Sequence, residues 1–223
     1  MRSETRPKEF IKILLRLIEE RKGPYLDIGC NDGYITRIVA QKAKASEVYG
    51  IDIDENLLSL SRKRGIKTIL WDLNEKKELP FMDNYFGIIT CLETIEHVES
   101  PDFVLKEIYR LLKINGFAII STPRLDSIYT IISLLLGFQP DMIDNSEERM
   151  YGLMKSNAEK KCKAVGHKKL FTKLAFKEIL QYHKFKILKF SQANLHVRRF
   201  PIFIRKDTQI WKVTPIKNDY ESR

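Results

Sequence analysis

The chain has 223 residues, 43% of them hydrophobic, and a formal net charge of +10. That length buries one core with room for an insertion, so a single domain is expected over residues 1–223. The charge permits a nucleic-acid or acidic-membrane partner, but no Lys/Arg block is dense, and a solvated lysine-rich surface explains it more simply.

No apolar run reaches the length of a membrane span, and the first residues do not read as a secretory leader. Cys30, Cys91 and Cys162 are scattered and odd in number, which points to reduced thiols in a cytoplasmic protein. Nothing in the pattern sets the oligomeric state.

From the amino end, apolar residues at helical spacing (Phe10, Ile13, Leu14, Leu17, Ile18) predict a helix over 8–21, inside an N-terminal segment 1–22. A strand is expected over 25–28, then a tight turn with Gly29 and Gly33, then a helix over 34–44. Strand, glycine turn, helix is how α/β proteins bring bare backbone up to a nucleotide, because a side chain there would hold the ligand away. Asn31 stands where a further glycine could, and asparagine tolerates left-handed backbone. The turn is neither a P-loop nor the dinucleotide fingerprint, whose last glycine position falls on Tyr34.

The second strand, 47–54, carries Asp52 near its end, about 20 residues past the glycine turn, where a carboxylate accepts the hydroxyls of a ribose. Asp54 reads as the N-cap of a helix over 55–63. A third strand over 66–70 runs into Asp72. The nearly all-apolar stretch 85–92 fits a central parallel strand. A helix over 101–113, with proline in its first turn, leads through Asn115-Gly116 to a fifth strand over 117–121.

Strands alternating with helices imply a mostly parallel α/β sheet with a ligand at the strands' carboxyl ends. The pattern then loosens over 124–165. An apolar piece, 128–138, and a polar run, 141–149, are expected to form an insertion capping the substrate site. A core helix and a membrane-facing patch are the alternatives. Thr172 is placed to cap a helix over 174–182; strands over 185–190 and 199–214 and a frayed tail, 215–223, complete the chain.

Leu26-Asp-Ile-Gly-Cys-Asn-Asp-Gly33, Gly50-Ile-Asp52, Asp72, Glu93-x-x-Glu96-His97, Leu111-Leu-Lys-Ile-Asn-Gly116 and Ser121-Thr-Pro123 resemble, in order and spacing, the class I S-adenosylmethionine (SAM)-dependent methyltransferases of the type-11 group. The resemblance implies the Rossmann-like class I fold, a seven-stranded sheet with helices on both faces. It also implies that Asp27 and the backbone of Gly29, Asn31 and Gly33 hold the methionine end of SAM. Asp52 would hold the ribose with Ile53 beside the adenine, Asp72 and Leu73 would hold the adenine, and the chain at Cys91 and Leu92 would lie under the sulfonium.

Glu93-x-x-Glu96-His97 sets two carboxylates and an imidazole within one helical turn, a set of ligand types suited to Mg²⁺ or Mn²⁺. His167 is expected to return over the pocket and complete a cluster of Glu93, Glu96, His97 and His167. The arrangement resembles the ubiquinone-pathway O-methyltransferases and the small-RNA terminal 2′-O-methyltransferases. It implies methyl transfer to an oxygen of a small or lipid-like acceptor, with Glu93, His97 and His167 as catalytic groups. The alternatives are an RNA ribose 2′-hydroxyl as acceptor, a metal-free enzyme in which a histidine is the base, and a SAM-binding protein without turnover.

Overall fold

The computed structural model describes residues 8–153, 164–194 and 207–217. One seven-stranded sheet has the order β3-β2-β1-β4-β5-β7-β6. The strands are β1 Pro24–Ile28, β2 Glu47–Asp52, β3 Lys67–Leu70, β4 Phe86–Leu92, β5 Leu112–Pro123, β6 Phe185–Ala193 and β7 Thr208–Pro215. The first five pair in parallel, and β7 runs antiparallel to both β5 and β6. The helices are α1 Lys8–Leu17, α2 Tyr34–Ala43, α3 Glu55–Lys63, α4 Pro101–Leu111, α5 Ile128–Leu135 and α6 Lys173–Tyr182.

Alternating side chains give the sheet two apolar faces. Leu26, Ile28, Ile89, Cys91, Ala118 and Ile120 pack against α4 and α6 through Val104, Ile108, Phe176 and Leu180. Tyr25, Ile88, Phe117 and Ile119 pack on the other side against α1 and α2 through Phe10, Leu14, Ile35 and Val39. Period two in the strands and three-to-four in the helices therefore meet across each face.

Element ends moved where local chemistry competes. Asp54 ends β2 early because its side chain accepts from Asn56 and Leu57 N–H, starting α3 as expected. α1 stops at Leu17, short of the expected 21. β5 starts at Leu112, taking residues expected as helix end and turn, because Leu112 pairs with Phe86 before an irregularity in the ladder. Thr172 caps α6 through Ala175 N–H, and Ser100 and Ser127 cap α4 and α5. The expected last strand shortens to β7; residues 199–206 of that expectation lie outside the described residues.

After β5 the chain forms α5 and an irregular stretch. Among the described residues, α5 buries Tyr129, Thr130 and Ser133 on one side, while Ile128, Ile131, Ile132, Leu134, Leu135 and Leu136 are exposed. The segment is thus not a core helix.

Candidate functional site

Ile28 lies level with Ile51 and Cys91, and Asp52 with Leu70. The loops after β1, β2, β3 and β4 therefore open at one edge of the sheet, where an α/β ligand is expected. After β1, the N–H groups of Gly29 and Cys30 donate to the Ile51 carbonyl (2.8 and 3.0 Å), and Gly33 N–H returns to Cys30 O. Asn31 takes the left-handed backbone its residue type allows (φ 52°). Its N–H donates to Asp52 Oδ2 at 2.8 Å, while Asp54 N–H donates to Oδ1. The glycine turn and the Asp52 carboxylate are thereby fastened together.

The two glycines also answer to neighbours within the protein. Both have positive φ, and a Cβ at Gly29 would overlap the Thr94 side chain, while one at Gly33 would come 2.5 Å from Ile66 and 2.7 Å from Ser61. Protein neighbours, before any ligand, exclude a side chain. Asp27 is engaged within the protein itself. It is buried, and its oxygens accept from Thr36 Oγ1 (2.5 Å) and Thr90 Oγ1 (2.6 Å), with Tyr25 donating in turn to Thr90. The network ties β1, β4 and α2 beneath the turn.

Ile53 is 63% exposed beside this opening. Asp72 caps the short 3-10 turn Leu73–Glu75, its Oδ1 accepting from Asn74 N–H. Cys91 and Leu92 are buried at the end of β4, and burial pushes the Cys91 thiol far up, so it stays protonated and inert. Burial does the same to Cys30.

Past β4, Glu93 is left-handed (φ 54°), a strained conformation for a residue with a side chain. Ser121 holds it there. Glu93 N–H donates to Ser121 O and Oγ, and Ser121 Oγ donates to Glu93 Oε1 at 2.7 Å. Its carboxylate turns toward β5, so the expected cluster of four becomes one of three. Glu96, His97 and His167 bring one ligand atom each within 4.8 Å of one another. Glu96 is fully buried, with Oε1 3.9 Å from His97 Nε2, and the two imidazole rings lie 4.9 Å apart.

Both imidazoles are oriented from behind. His97 Nδ1 is 3.0 Å from Gly166 O, and His167 Nδ1 is 2.9 Å from Met142 O. A carbonyl only accepts, so each Nδ1 carries a proton, and in a neutral ring Nε2 is then the nitrogen with the lone pair. Burial lowers the pKa of His97, outweighing the Gly166 carbonyl and Asp144, which raise it, so the neutral ring is favoured. His97 Nε2 and the buried Glu96 carboxyl group then face each other, a pair of ligand types that a cation between them would engage.

Asp144 shapes the returning loop. Its carboxylate accepts from Val165, Gly166 and His167 N–H, and the Glu96 carbonyl accepts from Lys168 and Lys169 N–H. Ser121, Thr94, Met142 and Asp144 were invisible as site residues. Ser121 was marked as part of Ser121-Thr-Pro123 but given no role at the site, and Asp144 was one acid in a polar run.

Residues 26–120 match the family described as "Methyltransferase domain". The ubiquinone biosynthesis O-methyltransferase of Pseudomonas aeruginosa (strain LESB58) is 33% identical over 129 residues, 54% of this chain and 55% of that protein. The chain thus spans about half the length of the curated relatives it matches. A SAM-dependent methyltransferase from Mesorhizobium loti superposes with a TM-score of 0.65 at 20% identity, over 91% of this chain and 96% of the other. The [4+2]-cyclase SpnF superposes at 0.61 and 14% identity, over 92% and 80%. These likenesses establish the Rossmann-like class I methyltransferase fold, and the cyclase shows that this fold also carries other reactions.

Proposed function

We propose, from the methyltransferase domain that residues 26–120 contain, that this protein transfers the methyl group of SAM to an oxygen of a small or lipid-like acceptor with the help of a divalent cation. The observation that carries the oxygen and the cation is the convergence of Glu96, His97 and His167, with both histidine rings oriented by backbone carbonyls at Nδ1.

In this reading Asp52, already fastened to Asn31, accepts from the ribose hydroxyls of SAM. Ile53 and Leu73 flank the adenine, and Asp72 accepts from its amino group with the oxygen not used on Asn74. The backbone of Gly29, Asn31 and Gly33 faces the methionine end, and Asp27 braces that turn from below. The chain at Cys91 and Leu92 floors the sulfonium.

Glu96 with the Nε2 atoms of His97 and His167 holds Mg²⁺ or Mn²⁺. Bound there, the cation supplies Lewis acidity that makes a hydroxyl a better nucleophile near neutral pH. Glu93, kept beside the opening by Ser121, orients the acceptor. The proton leaving the hydroxyl passes to Glu93, or to a histidine Nε2 where no cation is held. Of the segment expected to cap the acceptor, the described residues 124–153 and 164–165 do so, and residues 154–163 lie outside the described residues. A ribose 2′-hydroxyl of RNA is the second candidate oxygen, favoured by the lysine-rich face described below.

The test is calorimetric titration of Mn²⁺ into protein saturated with S-adenosylhomocysteine, with Glu96→Gln, His97→Ala and His167→Ala beside the parent chain. Stoichiometric binding lost in all three variants supports the cation-assisted reading. Homocysteine-ligand binding without any Mn²⁺ heat leaves a metal-free methyltransferase. Failure to bind S-adenosylhomocysteine at all overturns the methyltransferase reading itself.

A further inference from the structure

Residues 168–189 carry seven lysines, Lys168, Lys169, Lys173, Lys177, Lys184, Lys186 and Lys189, against one acid, Glu178. This tenth of the sequence thus supplies six of the chain's ten net positive charges. All seven lysines are exposed. Lys168 pairs with Glu99, whereas Lys177, Lys184, Lys186 and Lys189 form no ion pair among the described residues.

The fold arranges these charges. Lys173, Lys177 and Gln181 recur every four residues and so share one stripe of α6. The stripe borders a groove of about 570 Å³ whose other wall carries Lys186 of the edge strand β6 and whose floor includes Phe185, Ile187 and Trp211. Exposed Tyr182, Leu174 and Leu188 lie on the same two elements. At its start the lysine run is tied to the candidate centre, since Lys168 and Lys169 N–H donate to the carbonyl of Glu96.

Lysines on an edge strand can serve only to prevent sheet-to-sheet pairing. That purpose covers Lys186 and Lys189. It does not explain Lys173 and Lys177, which sit on a helix and face the same groove. Three lysines around one groove, with the exposed Tyr182 ring next in the chain to Gln181, match single-stranded nucleic acid, whose phosphates pair with lysines while a base lies on an exposed aromatic ring. An anionic lipid surface fits less well, because the exposed apolar helix α5 carries no charged residue of its own.

We infer that the α6–β6 groove docks single-stranded RNA, with phosphates on Lys173, Lys177 and Lys186. This docking bears on the second candidate acceptor but does not depend on methyl transfer, and its binding test is independent of turnover.

The experiment is fluorescence anisotropy of an end-labelled single-stranded RNA of about 20 nucleotides, titrated with the full chain at several KCl concentrations. Lys173→Glu/Lys177→Glu is compared with Lys42→Glu/Lys63→Glu, a control with the same change in net charge on exposed helix positions elsewhere. Thermal melting of each variant confirms folding. The groove variant is expected to weaken binding at least about tenfold and to flatten the salt dependence by roughly one to two phosphate contacts, while the control changes little. Equal weakening in both variants, or none in either, overturns the inference. So does groove-dependent binding to phosphatidylglycerol vesicles without binding to RNA.

Discussion

Gly29 illustrates how a single residue is constrained at this site. It holds φ +76°, and a Cβ there would overlap Thr94. Gly29→Ala is expected to destabilise the protein by about 2–4 kcal/mol through overlap and left-handed strain together. Thr94→Ala in the same chain should recover roughly half of that loss in urea unfolding, since it removes the overlap and leaves the strain. If the second substitution recovers nothing, Thr94 is not the obstacle. Asparagine at position 31 and aspartate at 54 were legible in advance because their preferences, left-handed backbone and N-capping, act within a few residues. The overlap with Thr94 was not, since it depends on a loop 65 positions away.

His97 belongs to the same scale. Its folded pKa lies below its ordinary value, chiefly through burial, so the unfolded chain binds the proton more readily. The stability this ring contributes is full above the unfolded value of about 6.5 and is lost as pH falls below that toward the folded value. Replacing His97 by glutamine should flatten urea midpoints between about pH 7.5 and 5.5 relative to the parent chain. Mn²⁺ affinity should fall as pH drops below the folded value, because only neutral imidazole can ligate.

Among the elements, the loop over 165–169 shows what holds a site residue that comes from far along the chain. Asp144 accepts three of its N–H groups. Asp144→Ala should weaken Mn²⁺ binding by about 10–100-fold, the usual effect of removing a partner behind a ligand, while leaving S-adenosylhomocysteine affinity unchanged. Equal loss of both would mean that the substitution disturbs the whole opening. Thr172, which starts α6, is a simpler case: Thr172→Ala removes the acceptor for Ala175 N–H and should cost about 1 kcal/mol. The cap was readable from one threonine before an apolar run. The Asp144 contacts were not, because an acid in a polar stretch carries no periodic signal and its partners lie more than 20 positions on.

For the whole molecule, the sheet depends on its last strand. β7 joins β5 to β6, and Trp211 at its middle is buried against Phe176 and Phe190, its Nε1 donating to Gln209. Trp211→Ala should cost about 3–5 kcal/mol, lowering the melting temperature by roughly 2–4 °C per kcal/mol for a chain of this size. A much smaller shift would show that β7 and β6 unfold as a separate, weaker unit.

Pattern along the chain was sufficient to set the alternation of strands and helices, the parallel core of the sheet and the turn beside Asp52, because apolar periodicity and capping act between near neighbours. It also proposed the company of Glu96, His97 and His167. Tertiary structure decided the rest. It turned Glu93 onto Ser121, put Asp27 to work beneath the turn, protonated both histidines at Nδ1 through distant carbonyls, and gathered the lysines of α6 and β6 around one groove. Each of these outcomes depends on contacts between residues tens of positions apart. Such contacts are settled by which surfaces the whole chain can bury at once, and no local preference encodes that.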